Sequence, residues 1–246
     1  MNTSIDRLAT RIVRPLLALE LLLVAFYWLK NLCGDPPLLN PLFDLDGEAN
    51  IPAWFSSAQL LTIALTLWTA NRFRADKSMP SRLFLNLLAA GFLLLSLDET
   101  AQVHETITGV IGSRYADWAP LLLSSHKAFA VLAMIGIFGI LKTFYKDARA
   151  AWRWSRRDCT ICLLGVCVVI LGGSVIEAIG YLYLQKGSLA YQVEVTFEEF
   201  LEMFGATLIL RTALVFARDT CKVGSGLATL QNVVDMNFTS QYNRRT

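Results

Sequence analysis

Apolar runs of membrane-spanning length constrain this chain more than any other feature of its sequence. A helix that crosses the hydrocarbon core of a bilayer needs about 20 mostly apolar residues, and six segments approach or exceed that length, at about 15–32, 51–70, 83–105, 119–141, 160–184 and 193–217. Only 17% of the 246 residues are charged, whereas about 25% are charged in a soluble domain. We therefore predict an all-α fold: a polytopic membrane bundle of six transmembrane helices, formed by residues 1–217.

The distribution of Lys and Arg predicts the orientation of this bundle. Basic residues concentrate in the N-terminal segment, in the loops after the second and fourth spans, and in the tail, while the other loops hold almost none. Cytoplasmic loops carry such an excess. We therefore expect a protein of the bacterial inner membrane with both termini on the cytoplasmic side. We expect residues 218–246 to be a mobile cytoplasmic tail. No small-residue cleavage site follows Leu32, which favours a retained first span over a removed signal peptide.

Charge and cysteine content narrow the function classes. A formal net charge of +2, with no basic stripe interleaved with aromatic residues, gives no reason to expect nucleic acid as a partner, so the expected partner is the lipid bilayer. Cys159 and Cys162 form a lone C-x-x-C at the start of a span. That pattern is typical of small apolar residues in a membrane helix, with a redox or metal pair as the alternative.

Polar residues at membrane depth gather on the predicted outer side. Asp98 and Glu99 directly follow an almost pure hydrocarbon run, and ionisable groups at such depth are rare and suggest a functional site. Both histidines of the chain belong to the same outer set. The candidate site residues are Asp98, Glu99, His104, Glu105, His126, Glu177, Glu198, Glu199 and Glu202.

Helical phase places most of these acids on two stripes. At 100° per residue, Asp98, Gln102 and Glu105 share one face of the third span. Glu194, Glu198 and Glu202 share one face of the sixth span, and the small Gly205 continues it. Small residues suit a close helix contact in membranes, so we expect both stripes to face the bundle interior. Glu99 and Glu199 fall off these stripes.

Lys127 is the expected charge partner of the site. It lies about 12 Å below the outer end of its span, at 1.5 Å per residue, and needs a carboxylate or a water-filled pocket there. We expect it to pair with Glu177 or Glu202. The alternative is that its side chain extends to the outer headgroups.

An acidic loop precedes the second span. It contains Asp44, Asp46 and Glu48, and Trp54 follows in the segment that re-enters the membrane. Oxygen ligands around a glycine can bind Ca²⁺, but the EF-hand spacing is absent because Phe55 stands where its final Glu would be. We interpret the loop as a turn that leads into the second span and acts as a lid over the candidate site.

Three functions fit a site rich in carboxylates. Mixed imidazole and carboxylate ligands suit a divalent metal such as Zn, Mn or Fe, which could activate water against a lipid-linked or periplasmic substrate in a membrane-embedded hydrolase. A proton- or cation-coupled carrier is the first alternative, because intramembrane carboxylates form proton relays. A structural, sensor or assembly subunit whose polar cluster fixes helix register is the second.

Three motifs together carry a resemblance to a known set of proteins. They are Phe43-Asp44 to Glu48 with Ile51-Pro52-Ala53-Trp54-Phe55-Ser56, then Ser96-Leu97-Asp98-Glu99 with His104-Glu105, then Glu198-Glu199-Phe200-Leu201-Glu202-Met203 with Gly205. The chain resembles a family of uncharacterised bacterial six-span membrane proteins over most of its core. The resemblance implies a shared architecture and supplies no activity.

Overall fold

The described part of the chain is helical. A computed structural model describes residues 3–34, 39–47, 49–74, 80–103, 106, 135–136, 138–140 and 142–242. Every regular element in those ranges is a helix. The elements are α1 (Thr3–Leu32), α2 (Leu39–Leu42), α3 (Ile51–Phe73), α4 (Arg82–Ala101), α5 (Tyr145–Trp154), α6 (Arg156–Ile170), a π-helix (Leu171–Ile176), α7 (Glu177–Tyr183) and α8 (Leu189–Tyr242).

Five helical stretches in these ranges are long and apolar enough to cross a membrane. They are Arg11–Leu32, Ile51–Phe73, Arg82–Ala101, Arg156–Gly180 and Leu189–Thr220. They correspond to five of the six predicted spans. The predicted fourth span, 119–141, lies outside the described residues except for 135–136 and 138–140, so the count of six and the orientation stay predictions.

Helix α8 is the centre of the bundle. It packs against α1 and α3 on one side and against α6, the π-helix and α7 on the other. Its middle section is buried around most of its circumference, including Met203, Thr207 and Val215. Helix α4 packs on the far side of α3. The polar residues of α8 therefore meet neighbouring helices on several faces.

Two glycines allow α6 and α8 to cross at close range. A Cβ on Gly165 would lie 2.8 Å from the carbonyl oxygen of Gly205, and a Cβ on Gly205 would lie 2.6 Å from that of Gly165. Real Cβ atoms do not approach backbone this closely, so neither position tolerates a side chain without a shift. The predicted close contact at Gly205 is confirmed, and its partner is Gly165.

Hydroxyl groups join α3 to α4 near the end that carries the candidate site. Ser57 Oγ donates to the carbonyl oxygen of Ser96 at 2.8 Å, and Ser96 Oγ donates to the carbonyl oxygen of Ser57 at 2.9 Å. Thr100 Oγ1 donates to Ser57 Oγ at 2.9 Å. Reciprocal hydrogen bonds of this kind hold membrane helices together where the hydrophobic effect gives no preference between helix and lipid.

Two element boundaries differ from the predicted ones. Helix α4 ends at Ala101 and not near Glu105, because Gln102 takes the left-handed conformation with φ +50° and its N–H bonds the carbonyl oxygen of Asp98. Helix α8 continues to Tyr242, through the residues that we expected as a tail. The mobility of that tail stays a prediction.

Candidate functional site

Three glutamates of α8 lie against glycines of the π-helix and of α7. A Cβ on Gly180 would overlap the carboxyl group of Glu194, and a Cβ on Gly173 would overlap Oε1 of Glu202. Gly172 lies against the backbone of Glu198. The predicted stripe of Glu194, Glu198 and Glu202 therefore does face the bundle interior, and the absence of side chains on the facing helix gives the carboxyl groups their space.

Two of these glycines, Gly172 and Gly173, lie in a π-helix. We call Gly172, Gly173 and Gly180 the glycine surface. Leu171–Ile176 interrupts the α-helical segment between α6 and α7 and contains both Gly172 and Gly173. Such insertions are rare and are frequently found at functional sites. Here the insertion lies where the carboxyl group of Glu202 enters the interface.

Carboxyl groups from four separate parts of the chain lie within electrostatic range of one another. Glu202 interacts with Glu99 at the end of α4 and with Glu177 at the start of α7. Glu198 interacts with Glu202, Glu177 and Glu194, and also with Asp46 of the loop before α3. We call these groups the acidic cluster: Asp46, Glu99, Glu177, Glu194, Glu198 and Glu202.

Two carboxyl groups of the acidic cluster are neighbours on α8. Glu194, which is 8% exposed, lies one turn before Glu198, and the two carboxyl groups interact electrostatically. Two ionised carboxylates have four acceptor oxygens and no donor. A proton or a cation between Glu194 and Glu198 would therefore relieve their repulsion.

The loop before α3 is tied to the start of α8. Asp46 accepts a hydrogen bond from the hydroxyl group of Tyr191 at 2.6 Å and forms an ion pair with Lys186 at 3.2 Å. Asn50 holds the turn: its side chain donates to the carbonyl oxygens of Asp44 and Gly47 at 2.6 Å and accepts from the backbone N–H of Ala53. The predicted turn into the second span is confirmed.

The other residues of the predicted lid take different positions. Asp44 forms an ion pair at 2.8 Å with Lys30, which is buried. Trp54 is 67% exposed on the outside of α3. Glu48 lies outside the described residues. Asp46 is thus the lid residue that the structure connects to the acidic cluster.

The predicted stripe on α4 is interrupted. Helix α4 ends before Gln102, so the phase argument that placed Asp98, Gln102 and Glu105 on one face does not extend past Ala101. Glu99, which lies off that stripe, is within electrostatic range of Glu202. Asp98 and Glu199 both have interaction partners, and the inward direction of Asp98 stays a prediction.

Four of the predicted site residues cannot be placed. His104, Glu105, His126 and Lys127 lie outside the described residues, so the expected pairing of Lys127 with Glu177 or Glu202 stays a prediction. Within the described ranges, no three His, Cys, Asp or Glu side chains are grouped closely enough to hold a metal ion. Cys159 and Cys162 are free thiols.

Sequence reasoning missed the glycine surface and Tyr191. The signal for the first was available, because Gly165, Gly172 and Gly180 recur at intervals of seven and eight residues, which is two helical turns. The π-helix carried no such signal. Tyr191 follows a polar loop and gave no reason to expect a bond to Asp46.

The arrangement just described lies within the part of the chain that matches a protein family, residues 16–217. The chain belongs to the family described as a domain of unknown function, DUF8692. The DUF8692 match covers, in whole or in large part, all five described helices that are long and apolar enough to cross a membrane, and the whole acidic cluster. No curated protein and no solved structure matches the chain.

Proposed function

We propose that this protein exchanges protons for cations at the acidic cluster, as a proton- or cation-coupled carrier of the bacterial inner membrane. In this proposal the cluster opens to the periplasm and both termini are cytoplasmic. The observation that carries it is the pair of neighbouring carboxyl groups of Glu194 and Glu198 inside the acidic cluster, because an arriving cation would displace a proton held between them.

The groups around Glu194 and Glu198 support an exchange of protons for cations. Carboxyl groups crowded in a medium of low dielectric do not all stay ionised unless protons or cations lie between them. Asp46 lies at the loop surface, and Glu194, Glu198 and Glu202 continue inward from it at intervals of one helical turn. Such a line of titratable groups has the form of a proton relay.

Proton release on cation binding tests this function. The purified chain, in weakly buffered detergent solution, is mixed with chlorides of Mg²⁺, Mn²⁺ or Zn²⁺ while a pH-sensitive dye reports released protons. We expect about one proton per chain from the wild type, and at least a fivefold smaller release from Glu198→Gln, since this substitution removes one of the two carboxyl groups that would share the proton.

Asp219→Asn is the matched control for this experiment. It removes a carboxylate from the same helix, and Asp219 pairs with Arg218 beyond the region of the cluster. Release should be unchanged in this variant. No release from the wild type with any of the three cations, or equal release from Glu198→Gln, would contradict the proposal.

A metal-dependent hydrolase is the second candidate. The observation in its favour is that Glu99 reaches Glu202, which brings the end of α4 to the cluster, and His104-Glu105 follows α4 in the sequence. Imidazole and carboxylate together would hold Zn, Mn or Fe, and the bound metal would activate water against a lipid-linked or periplasmic substrate.

Elemental analysis separates the two candidates. A hydrolase of this type should purify with a near-stoichiometric metal that falls in His126→Ala and in Glu202→Ala but not in Cys159→Ala. A chain that stays metal-free after incubation with Zn, Mn and Fe would exclude the hydrolase.

A further inference from the structure

Glu20 is buried near the middle of the membrane segment of α1, away from the acidic cluster. Its exposed fraction is 0%. It follows Arg11, the first residue of the segment Arg11–Leu32, by nine residues, which is about 14 Å along a helix. A carboxyl group at such depth is expensive, and by default it suggests a functional site with an identifiable partner.

The hydrogen-bond partners of Glu20 are neutral and come from two other helices. Gln59 Nε2 on α3 donates to Glu20 Oε1 at 3.0 Å, and Thr207 Oγ1 on α8 donates to the same oxygen at 2.6 Å. Gln59 Nε2 also donates to Thr207 Oγ1 at 2.8 Å. Gln59 is 3% exposed and Thr207 is 0% exposed. We call Glu20, Gln59 and Thr207 the Glu20 triad.

Two acceptor oxygens of the triad are buried without a hydrogen-bond partner. They are Glu20 Oε2 and Gln59 Oε1. Each belongs to a planar group whose other end is hydrogen-bonded within the triad. Leaving a buried acceptor unsatisfied costs about 1–3 kcal/mol. Ser56, one turn before Gln59 on α3, adds a third buried oxygen without a partner.

The nearest arginine along α8 is engaged elsewhere. Arg211 follows Thr207 by one turn, but its guanidinium group pairs with Asp158 of α6 at 2.5 Å. Thr212 donates to the backbone of Asp158 as well. Glu20 and Arg211 therefore each have a different partner.

We propose that the Glu20 triad is a binding site for a monovalent cation. Oxygen-only donors suit a hard cation, the single carboxylate balances one positive charge, and a sodium ion beside Glu20 Oε2 and Gln59 Oε1 would satisfy both oxygens. A proton on the Glu20 carboxyl group is the competing way to neutralise it. The site is formed by α1, α3 and α8, and it does not depend on the exchange proposed for the acidic cluster.

Unfolding temperature in sodium chloride tests the site. The purified full chain is heated in NaCl and, at equal ionic strength, in choline chloride. Binding to the folded state stabilises it in proportion to RT ln(1 + [L]/Kd), so we expect a rise of about 5 °C when sodium exceeds its Kd about 100-fold. Glu20→Gln should lose the rise, and Thr207→Val should weaken sodium binding by about tenfold.

Thr66→Val is the control for Thr207→Val. Thr66 is partly buried on α3, and its hydroxyl group donates to the carbonyl oxygen of Thr62 in its own helix at 2.6 Å. The sodium response of this variant should equal that of the wild type. If Glu20→Gln does not fold, the comparison of the two threonine variants carries the test.

An infrared spectrum distinguishes the two occupants. With no sodium response, a carboxylic acid band that is present in the wild type and lost in Glu20→Gln would show that Glu20 carries its own proton and would overturn the cation site. A sodium response of equal size in Glu20→Gln would overturn the proposal, as would the lack of both the response and the band. Proton release at the acidic cluster is measured with Glu198→Gln, so its outcome is separate.

Discussion

The position of Glu202 depends on a residue that has no side chain. Oε1 of Glu202 occupies the space that a Cβ on Gly173 would take. The carboxyl group can lie there because Gly173 has no side chain. The obstructed atom is the far end of a flexible side chain, so a methyl group at Gly173 would turn the carboxyl group away and leave the helix in place. The sequence alone predicted the direction of Glu202 from its stripe, because helical phase is reliable within a long uninterrupted helix.

Gly173→Ala should therefore lower function more than stability. We expect proton release on cation addition to fall by at least threefold, with the free energy of unfolding changed by less than about 1 kcal/mol, because a side-chain rearrangement costs less than a backbone shift. Dye-detected release and an unfolding curve on the same preparation check this. Unchanged release would show that the position of the Glu202 carboxyl group does not matter for exchange.

The buried ion pair between Asp158 and Arg211 makes a prediction about stability alone. Removing one partner of such a pair leaves an uncompensated charge, which costs about 3–5 kcal/mol. Asp158→Ala should destabilise the chain by that order in detergent unfolding. The double variant with Arg211→Met should recover a large part of the loss, and a double variant as unstable as Asp158→Ala would show that the pair is not the cause.

At the scale of the elements, long regular helices were predictable and their interruptions were not. The five described helices of membrane-spanning length follow the apolar runs closely. The end of α4 at Ala101 was missed, because the left-handed conformation that ends a helix is usually signalled by Gly or Asn and here falls on Gln102. The π-helix was missed because it inserts into an apolar run whose periodicity carries no phase information.

Two glycine substitutions separate the effect of the close α6–α8 contact from the general effect of replacing glycine by alanine in a helix. Gly165→Ala places a methyl group against the backbone of Gly205, and we expect a loss of about 1–3 kcal/mol from overpacking. Gly91→Ala, in α4, meets nothing within 4 Å and should be neutral or stabilising by up to about 1 kcal/mol, because alanine restricts the unfolded chain. Unfolding of both variants in detergent checks this, and equal effects would contradict the close α6–α8 contact.

At the scale of the whole molecule, composition predicted a membrane bundle, and no property of the sequence predicted which helix would be central. Helix α8 takes that place because its acidic face, its Thr207 face and its apolar face each meet a different neighbour. Burial on all sides is a property of the assembled bundle. It could not be read from one helix, whose polar residues also suit a water-filled surface.

Reporter fusions test the predicted orientation. An alkaline phosphatase joined after Cys33, beyond α1, should be active because that loop is expected in the periplasm. A green fluorescent protein joined at the C-terminus should fluoresce because the tail is expected in the cytoplasm. The reverse pattern would place the acidic cluster on the cytoplasmic side and change the direction of the proposed exchange.

The proton between Glu194 and Glu198 is the central claim, and infrared spectroscopy of the carboxyl groups at neutral pH tests it most directly. We predict a carboxylic acid band in the wild type and in Asp219→Asn. The band should be reduced in both Glu194→Gln and Glu198→Gln, because either substitution removes one of the two carboxyl groups that would share the proton. Addition of a cation that releases protons should reduce the same band. A band of equal strength in all four proteins would contradict the claim, since no proton would then be shared by these two side chains.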